Sequence, residues 1–247
     1  MQEMTEERVG QAVNEIYRDG TYLAHNQGWH QEDSPYKAGL VSAAIERAAL
    51  TFSSCGDVGC GAGLVTELLS AEYPHSSFTG FDLSNDAMQF WSERSSRANL
   101  QYRNMEIGAS GTKFDLVLCL DVFEHVEDYR GFLRALRNSG RHFIFNIPLD
   151  MNVVKLLTSG IRLAREEVGH LHYFNAYSAL RTLVDTGYRL VDVHYAAAFL
   201  AVPPRSLRQT LMLPLRLASL IAGKRIASTL FGGVSLVVVA ADDGASS

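Results

Sequence analysis

Residues 57–63 read Asp57-Val58-Gly59-Cys60-Gly61-Ala62-Gly63, with three glycines at alternate positions. A short candidate strand, Ser54–Val58, leads into this stretch, and a segment of helical length and spacing, Leu64–Ser70, follows it. Glycines permit a tight turn and let the backbone approach a ligand closely. The first turn of the following helix offers unbonded N–H groups. The stretch therefore predicts a strand, a ligand-binding turn and a helix.

Short apolar runs alternate with helical segments over most of the chain. The candidate strands are Ser54–Val58, Phe78–Leu83, Leu100–Met105, Phe114–Leu120, His142–Ile147, Arg189–Tyr195 and Ser235–Ala240. The segments Leu64–Ser70, Asp86–Ala98 and Tyr129–Arg137 have helical length and period. This alternation predicts an α/β fold: a doubly wound, seven-stranded, mainly parallel sheet with helices on both faces. Because the last strand follows a long insertion, we expect it to be antiparallel.

The composition excludes several classes of protein. The chain has 247 residues, a net charge of −5 and a pI of about 5.9, which argues against binding to nucleic acid phosphates. Its three cysteines form no CxxC pair, which favours reduced thiols and a cytoplasmic location. The polar N-terminus does not resemble a signal peptide, and no uninterrupted apolar run reaches membrane-spanning length.

An acidic residue follows the second predicted strand, as in many nucleotide-binding sheets. Asp82 lies 19 residues after Gly63, where a carboxylate can accept hydrogen bonds from ribose hydroxyls. The spacing admits a dinucleotide or S-adenosylmethionine. The dinucleotide pattern GxGxxG would need a glycine where Leu64 stands. Asp57 is unsuited to a pyrophosphate neighbour and suits a positively charged amino group, which favours S-adenosylmethionine.

The same residues resemble the first motif of the class I, Rossmann-like S-adenosylmethionine-dependent methyltransferases, an acidic residue followed by GxGxG. The resemblance implies that the loop passes the methionine part of the cofactor and that Asp82 holds the ribose. It places Glu106, after the third strand, near the adenine. The cofactor-binding residues implied in this way are Asp57, Gly59, Cys60, Gly61, Gly63, Asp82, Leu83, Glu106, Asp121 and Val122.

A second match lies at the fourth strand, where residues 114–126 end in Glu124-His125-Val126. This run resembles the subgroup that includes the ubiquinone-biosynthesis O-methyltransferases. It implies that Asp121 to His125 border the transferred methyl group. His125 is a candidate general base, since its ordinary pKa lies near neutrality, or a structural histidine. A third hypothesis makes Asp121, Glu124 and His125 ligands of a divalent metal, although our prediction includes no metal.

A later loop, Gly169 to Asn175, resembles the segment that lies over the acceptor in the same subgroup. His170 or His172 could act as the base instead of His125, while Tyr173 and Phe174 could stack on a substrate.

The N-terminal residues 22–37 form an aromatic and polar loop that we interpret as a lid, with Trp29, His30 and Lys37 facing the acceptor.

The chain is predicted to form one domain. Residues 1–50 form the N-terminal helical lid, residues 51–196 the cofactor-binding core, residues 197–233 a basic amphipathic helical insertion, and residues 234–241 the last strand. Residues 199–233 contain no acidic residue. Such a stretch can lie on an anionic membrane through residues 203–230, cap the substrate pocket or form a dimer face, and the last two are favoured here.

These observations predict a cytoplasmic methyltransferase, monomeric or homodimeric, that uses S-adenosyl-L-methionine on a small-molecule acceptor in a biosynthetic pathway. Histidines in the candidate loops favour a hydroxyl oxygen on a natural product, sugar or quinone-like compound, because such an acceptor must lose a proton. The alternative is a non-catalytic, cofactor-binding partner or scaffold protein with the same fold. A nucleic acid methyltransferase is disfavoured by the acidic charge.

Overall fold

The computed structural model describes residues 31–203 and 207–242. Seven strands form one sheet: β1 (Ser54–Val58), β2 (Ser77–Phe81), β3 (Leu100–Arg103), β4 (Phe114–Leu120), β5 (Gly140–Pro148), β6 (Tyr188–Ala197) and β7 (Val234–Asp242). The α-helices of the described residues are α1 (Ser34–Arg47), α2 (Leu64–Glu72), α3 (Asn85–Trp91), α4 (Tyr129–Leu136), α5 (Val153–Leu157), α6 (Gly160–Leu163), α7 (Ala176–Asp185), α8 (Leu207–Ser219) and α9 (Lys224–Leu230).

The strand order is β3-β2-β1-β4-β5-β7-β6. Strand β7 is antiparallel to both of its neighbours, and every other pair is parallel. The predicted doubly wound fold with an antiparallel last strand is therefore confirmed. The chain runs outward in opposite directions from β1 and β4, so a crevice opens where these two strands end. Ligands of open parallel sheets bind at such a crevice.

Apolar side chains cover both faces of the sheet. On one face, Phe143, Phe145 and Tyr188 pack with residues of α4 and α7. On the other, Val41 of α1 and Leu69 of α2 cover the residues of β1, β4 and β5 that point to that side. Strands buried on both faces explain the continuous apolar runs in the sequence. This packing fixes the strand ends that carry the polar residues of the site.

The predicted strands are all present, but α3 is shorter than expected. It ends at Trp91 instead of continuing to Ala98. The backbone N–H of Ser95 donates to the Glu67 carboxylate, and Arg94 pairs with the same side chain. These bonds to α2 take the place of the next helical turn. The start of α3 matches the sequence, because Ser84 accepts from two amides of its first turn.

The N-terminal lid is only partly within the described residues. Trp29 and His30 lie outside them, as does the helical pattern near residues 9–17. Lys37, predicted within a loop, belongs instead to α1, which begins at Ser34 with Pro35 in its first turn. Proline is pre-set for this position because its missing N–H would have no partner in the helix.

All three cysteines lack a disulfide partner. No helix in the described part of the chain has both the length and the apolar character needed to cross a membrane.

Candidate functional site

The glycine loop after β1 takes a backbone path that requires glycine. Gly59, Gly61 and Gly63 have φ values of 66°, 54° and 80°. A Cβ atom at Gly59 would lie 2.7 Å from Val122 Cγ2, and one at Gly63 would lie 2.5 Å from Tyr102 Cε1. Side chains at these positions would meet both backbone strain and a clash. The loop backbone is thus free of side chains at these positions, which lets a ligand approach it closely.

Hydrogen bonds from neighbouring strands hold the loop in place. The Gly61 N–H donates to Asp82 Oδ2 over 2.8 Å, and the Ser84 N–H donates to Asp82 Oδ1 over the same distance. The Tyr102 hydroxyl and the Trp91 indole donate to the Gly63 and Gly61 carbonyls at 2.7 and 2.9 Å. Asp82 therefore shapes the loop, and its carboxylate retains lone pairs for a further donor.

Asp57 is a buried carboxylate beneath the loop. The Thr66 hydroxyl of α2 donates to its Oδ2 over 2.6 Å. Burial raises the pKa of Asp57 to about 7, although the Thr66 hydrogen bond acts in the opposite direction and the Asp82 charge adds to the rise. A cationic ligand group beside Asp57 would hold this carboxylate ionised.

A cavity of about 310 Å³ lies at the crevice between β1 and β4. The glycine loop, Asp57 and the start of α2 form one wall, and α1 contributes Lys37. Its other residues are Asp33, Ser34, Leu120, Asp121, His125, Pro148, Val168 and His170. The structure therefore brings together Asp57, the loop, Asp121 and two of the three predicted histidines, together with Lys37.

Lys37 and Asp121 form an ion pair within this cavity. Lys37 Nζ lies 2.6 Å from Asp121 Oδ2, while the Asn146 amide donates to Oδ1 over 2.7 Å. Burial alone would lower the pKa of Lys37, but Asp121 raises it above its ordinary value. Asp121 itself has a φ of 57°, a strained value for a residue other than glycine. The ammonium is thus a fixed positive charge close to the glycine loop.

His170 is oriented by a buried aspartate. Its Nδ1 lies 2.5 Å from Asp150 Oδ2, and the Lys155 ammonium binds the other carboxylate oxygen. Burial alone would raise the pKa of Asp150, but His170 and Lys155 lower it to about 2. Because a carboxylate can only accept, Nδ1 carries the proton and Nε2 is left as the basic atom. This is the arrangement of an aspartate that orients a catalytic histidine.

His125 lies beside His170, with their ring centroids 4.8 Å apart. Its Nδ1 donates to the Gly169 carbonyl over 3.1 Å. Burial lowers the pKa of His125 to about 4, and the neighbouring His170 contributes in the same direction. His125 is therefore neutral at pH 7.

Glu124 is fully buried next to these histidines. Neither carboxylate oxygen has a hydrogen-bond partner among the described residues. Burial raises the pKa of Glu124 well above its ordinary value, and the Asp121 charge adds to this effect. The side chain is thus held in its protonated form unless a cation reaches it.

Glu124, His125 and His170 also form a candidate metal-ligand cluster. One ligand atom of each lies within 4.8 Å of the others. A carboxylate with two imidazoles suits zinc or a similar ion. This set differs from the hypothesis drawn from the sequence, because Asp121 is engaged by Lys37 and Asn146 instead.

Several predicted site residues lie away from this cavity. Leu83 and Glu106 are exposed, and neither lines the cavity. Val122 packs against Gly59 from behind, where a Cβ atom would strike it. None of these three residues lines the cavity, so their roles in cofactor binding stay predictions.

The second half of the loop 169–175 turns away from the cavity. The His172 Nε2 donates to the Val126 and Glu127 carbonyls, and the Tyr173 hydroxyl donates to the His170 carbonyl. Phe174 is buried against Phe123. These three residues border a separate cavity of about 400 Å³ between α4 and α7. His172, Tyr173 and Phe174 thus lie outside the cavity of the glycine loop, and their roles as base and as acceptor-binding residues stay predictions.

Sequence reasoning missed Asp150, Lys155 and Thr66. Asp150 follows β5 by two residues, at the same sheet edge as the glycine loop and Asp121. Its place at a strand's carboxyl end was a usable indication. Asp150 and His170 are 20 residues apart in the sequence, and no local pattern predicts their contact.

Comparison with protein families identifies the family of the chain. The family model described as "Methyltransferase domain" matches residues 29–193, more than half of the chain. The chain belongs to this methyltransferase family. Membership confirms the prediction of a methyltransferase domain.

Part of the chain is similar in sequence to curated O-methyltransferases. The chain is 31% identical to a ubiquinone biosynthesis O-methyltransferase of Psychrobacter arcticus over 111 residues, covering 40% of this chain and 42% of the relative. It is 34% identical to the enzyme of that name from Aeromonas salmonicida, covering 42% and 47%. A malonyl-[acyl-carrier protein] O-methyltransferase of Acetivibrio thermocellus is 28% identical, covering 34% and 30%. The chain thus spans less than half the length of these relatives.

Solved structures share the fold across nearly the whole chain. The plantazolicin methyltransferase in complex with a monoazolic analog and SAH has a TM-score of 0.63 at 15% identity, covering 96% of both chains. The magnesium protoporphyrin IX methyltransferase of Synechocystis PCC 6803 with bound SAH has a TM-score of 0.54 at 15% identity, covering 98% of this chain and 90% of that one.

Proposed function

We propose that this chain transfers the methyl group of S-adenosylmethionine to a hydroxyl oxygen of a small molecule, with His170 as the general base. The observation that carries the proposal is the Asp150–His170 pair, whose His170 lines the same cavity as the glycine loop. Methyl transfer itself needs mainly positioning, since the reaction discharges the sulfonium. A hydroxyl acceptor additionally needs a base.

The cofactor's methionine end binds between Asp57 and Lys37. The Asp57 carboxylate receives the ammonium group, and the Lys37 ammonium receives the carboxylate group. The glycine loop packs against the carbon chain of the cofactor between its ammonium and carboxylate groups. Both side chains line the cavity, and their opposite charges match a zwitterionic ligand.

The nucleoside end lies beside Asp82, which bonds to the glycine loop. Asp82 accepts from the ribose hydroxyls with the lone pairs that Gly61 and Ser84 leave. The adenine covers Leu83, whose side chain is otherwise largely exposed, while Val122 supports Gly59 and Glu106 borders the outer edge.

The acceptor proton passes to His170 Nε2. The ionised Asp150 stabilises the imidazolium that results, just as it fixes the tautomer beforehand. His125, held neutral, lies beside His170 without adding a second charge. Curated relatives named as O-methyltransferases support oxygen as the target atom. The cytoplasmic location, and a monomeric or homodimeric state without nucleic acid, stay predictions.

Transfer of a labelled methyl group tests the proposal. S-adenosylmethionine labelled in its methyl group is incubated with a panel of catechols and phenols and with the matching anilines. We expect label in the catechol or phenol products, and His170→Asn should reduce the rate about 100-fold, the usual range for a lost general base. His172→Asn is the matched control and should keep most activity.

Two results would overturn this proposal. Label that appears only in the anilines would assign the enzyme to nitrogen acceptors. Cofactor binding without transfer to any acceptor, in wild type and variants alike, would favour the non-catalytic partner or scaffold instead.

A further inference from the structure

Helix α8 turns leucines toward solvent. Leu207, Leu211 and Leu215 recur every four residues and are 76%, 68% and 49% exposed. Among the described side chains of this helix, only Ser219 is buried. A surface helix ordinarily buries such a stripe against the core. The apolar stripe of α8 is therefore open on the side where polar residues are expected.

Neighbouring elements extend this surface. Helix α9 contacts both α8 and α5. We define the leucine face as the exposed apolar side chains of α5, α8, α9 and the turn 220–222, namely Val153, Leu156, Leu157, Leu207, Leu211, Leu215, Leu217, Ile221, Ile226 and Leu230. Scattered apolar residues are normal on a surface, but a concentration of this size marks an interaction site.

The segments that carry the leucine face contain no negative charge. Residues 151–163 and 199–233 hold seven lysines and arginines and no aspartate or glutamate. The remaining chain has 15 basic and 27 acidic residues. Two of these cations pair with flanking carboxylates, Lys155 with Asp150 and Arg162 with Glu166. The net positive charge that remains, on an otherwise acidic protein, is complementary to a partner that is both apolar and anionic.

We propose that the leucine face docks on an anionic phospholipid bilayer. Its leucines and isoleucines enter the boundary between headgroups and acyl chains, while cations such as Lys155 and Arg225 meet the lipid phosphates. Arg225 is exposed on α9. Lys155 of α5 also binds Asp150, so the docked surface adjoins the candidate base.

The same charges disfavour the two other occupants considered from the sequence. In a two-fold dimer the leucine face would meet itself, so two segments of net positive charge would oppose each other, with Asp150 and Glu166 as their flanking carboxylates. A cap over the substrate pocket would need these side chains to line it. Within the described residues, neither cavity is lined by a side chain of α8 or α9.

Flotation of the full chain with lipid vesicles tests the proposal. Vesicles of phosphatidylcholine alone are compared with vesicles that also contain phosphatidylglycerol. We expect binding to the anionic vesicles to be on the order of tenfold stronger and to weaken with salt. Ile221→Asp, and Leu211→Asp combined with Leu215→Asp, should each abolish it. Val184→Asp on α7 is the matched control, because Val184 is 43% exposed and lies outside the leucine face.

Absence of flotation on anionic vesicles would overturn the proposal, as would unchanged flotation of the Ile221→Asp protein. A concentration-dependent dimer that Ile221→Asp dissolves, without vesicle binding, would assign the surface to a second copy and refute the bilayer. Far-ultraviolet circular dichroism establishes that each variant is folded. Cofactor binding is measured on the same samples, so failure here is separable from failure of the proposed methyl transfer.

Discussion

Cofactor affinity should depend on pH through Asp57. The carboxylate must be ionised to receive the cofactor's ammonium, and burial raises its pKa to about 7. Above pH 7 the charged form is already present and affinity is constant. Below pH 7 a proton must leave before binding, so the dissociation constant should rise about tenfold per pH unit. We expect binding at pH 6 to be about tenfold weaker than at pH 8.

Isothermal titration calorimetry across this range measures the effect. The pKa of Asp82 is also raised by burial, so a second carboxyl could contribute. Methylthioadenosine keeps the ribose but lacks the ammonium. Its dissociation constant should therefore lose the pH dependence that Asp57 causes and keep any that Asp82 causes. Asp57→Asn should bind the cofactor weakly and without that slope. A wild-type slope in this variant, or an equal slope for methylthioadenosine, would refute the assignment of the ammonium to Asp57.

Three further outcomes follow from the geometry. Gly63→Ala should lower the free energy of unfolding by about 1–3 kcal/mol and weaken cofactor binding, since Gly63 has a φ of 80° and a Cβ atom there would clash with Tyr102. Gly39→Ala is the control, because α1 leaves open space at that position, and it should be neutral or stabilising when both variants are compared by thermal unfolding. Asp150→Asn should reduce kcat about 100-fold with little change in the KM for the cofactor, because only the orientation of His170 is lost. Dialysis against EDTA should leave methyl transfer unchanged; a loss that zinc restores would instead make Glu124, His125 and His170 metal ligands.

The fold could be predicted because each element carries a local pattern. Strand β4 is apolar except for Asp115, and the glycines after β1 allow one kind of turn. The end of α3 could not be predicted, since Ser95 bonds to Glu67 of another helix. Periodicity alone reports helical preference and is blind to such a competing partner.

The site was most directly predictable where polar residues lie at a strand end. Asp57 and His125 follow this rule, and both line the cavity. The sequence could not show which histidine of the later loop is the candidate base, because His170 and His172 differ only in the residues that surround them in the fold. A buried aspartate binds one, and backbone carbonyls bind the other.

The most direct test of the account is a calorimetric titration of the wild-type protein at pH 8 with S-adenosylmethionine, and in parallel with oxidised nicotinamide adenine dinucleotide. The glycine loop, Asp57 and Lys37 predict micromolar, one-to-one binding of S-adenosylmethionine and none of the dinucleotide. Binding of the dinucleotide, or no binding of either ligand to folded protein, would contradict the central claim that this cavity holds a sulfonium cofactor for methyl transfer.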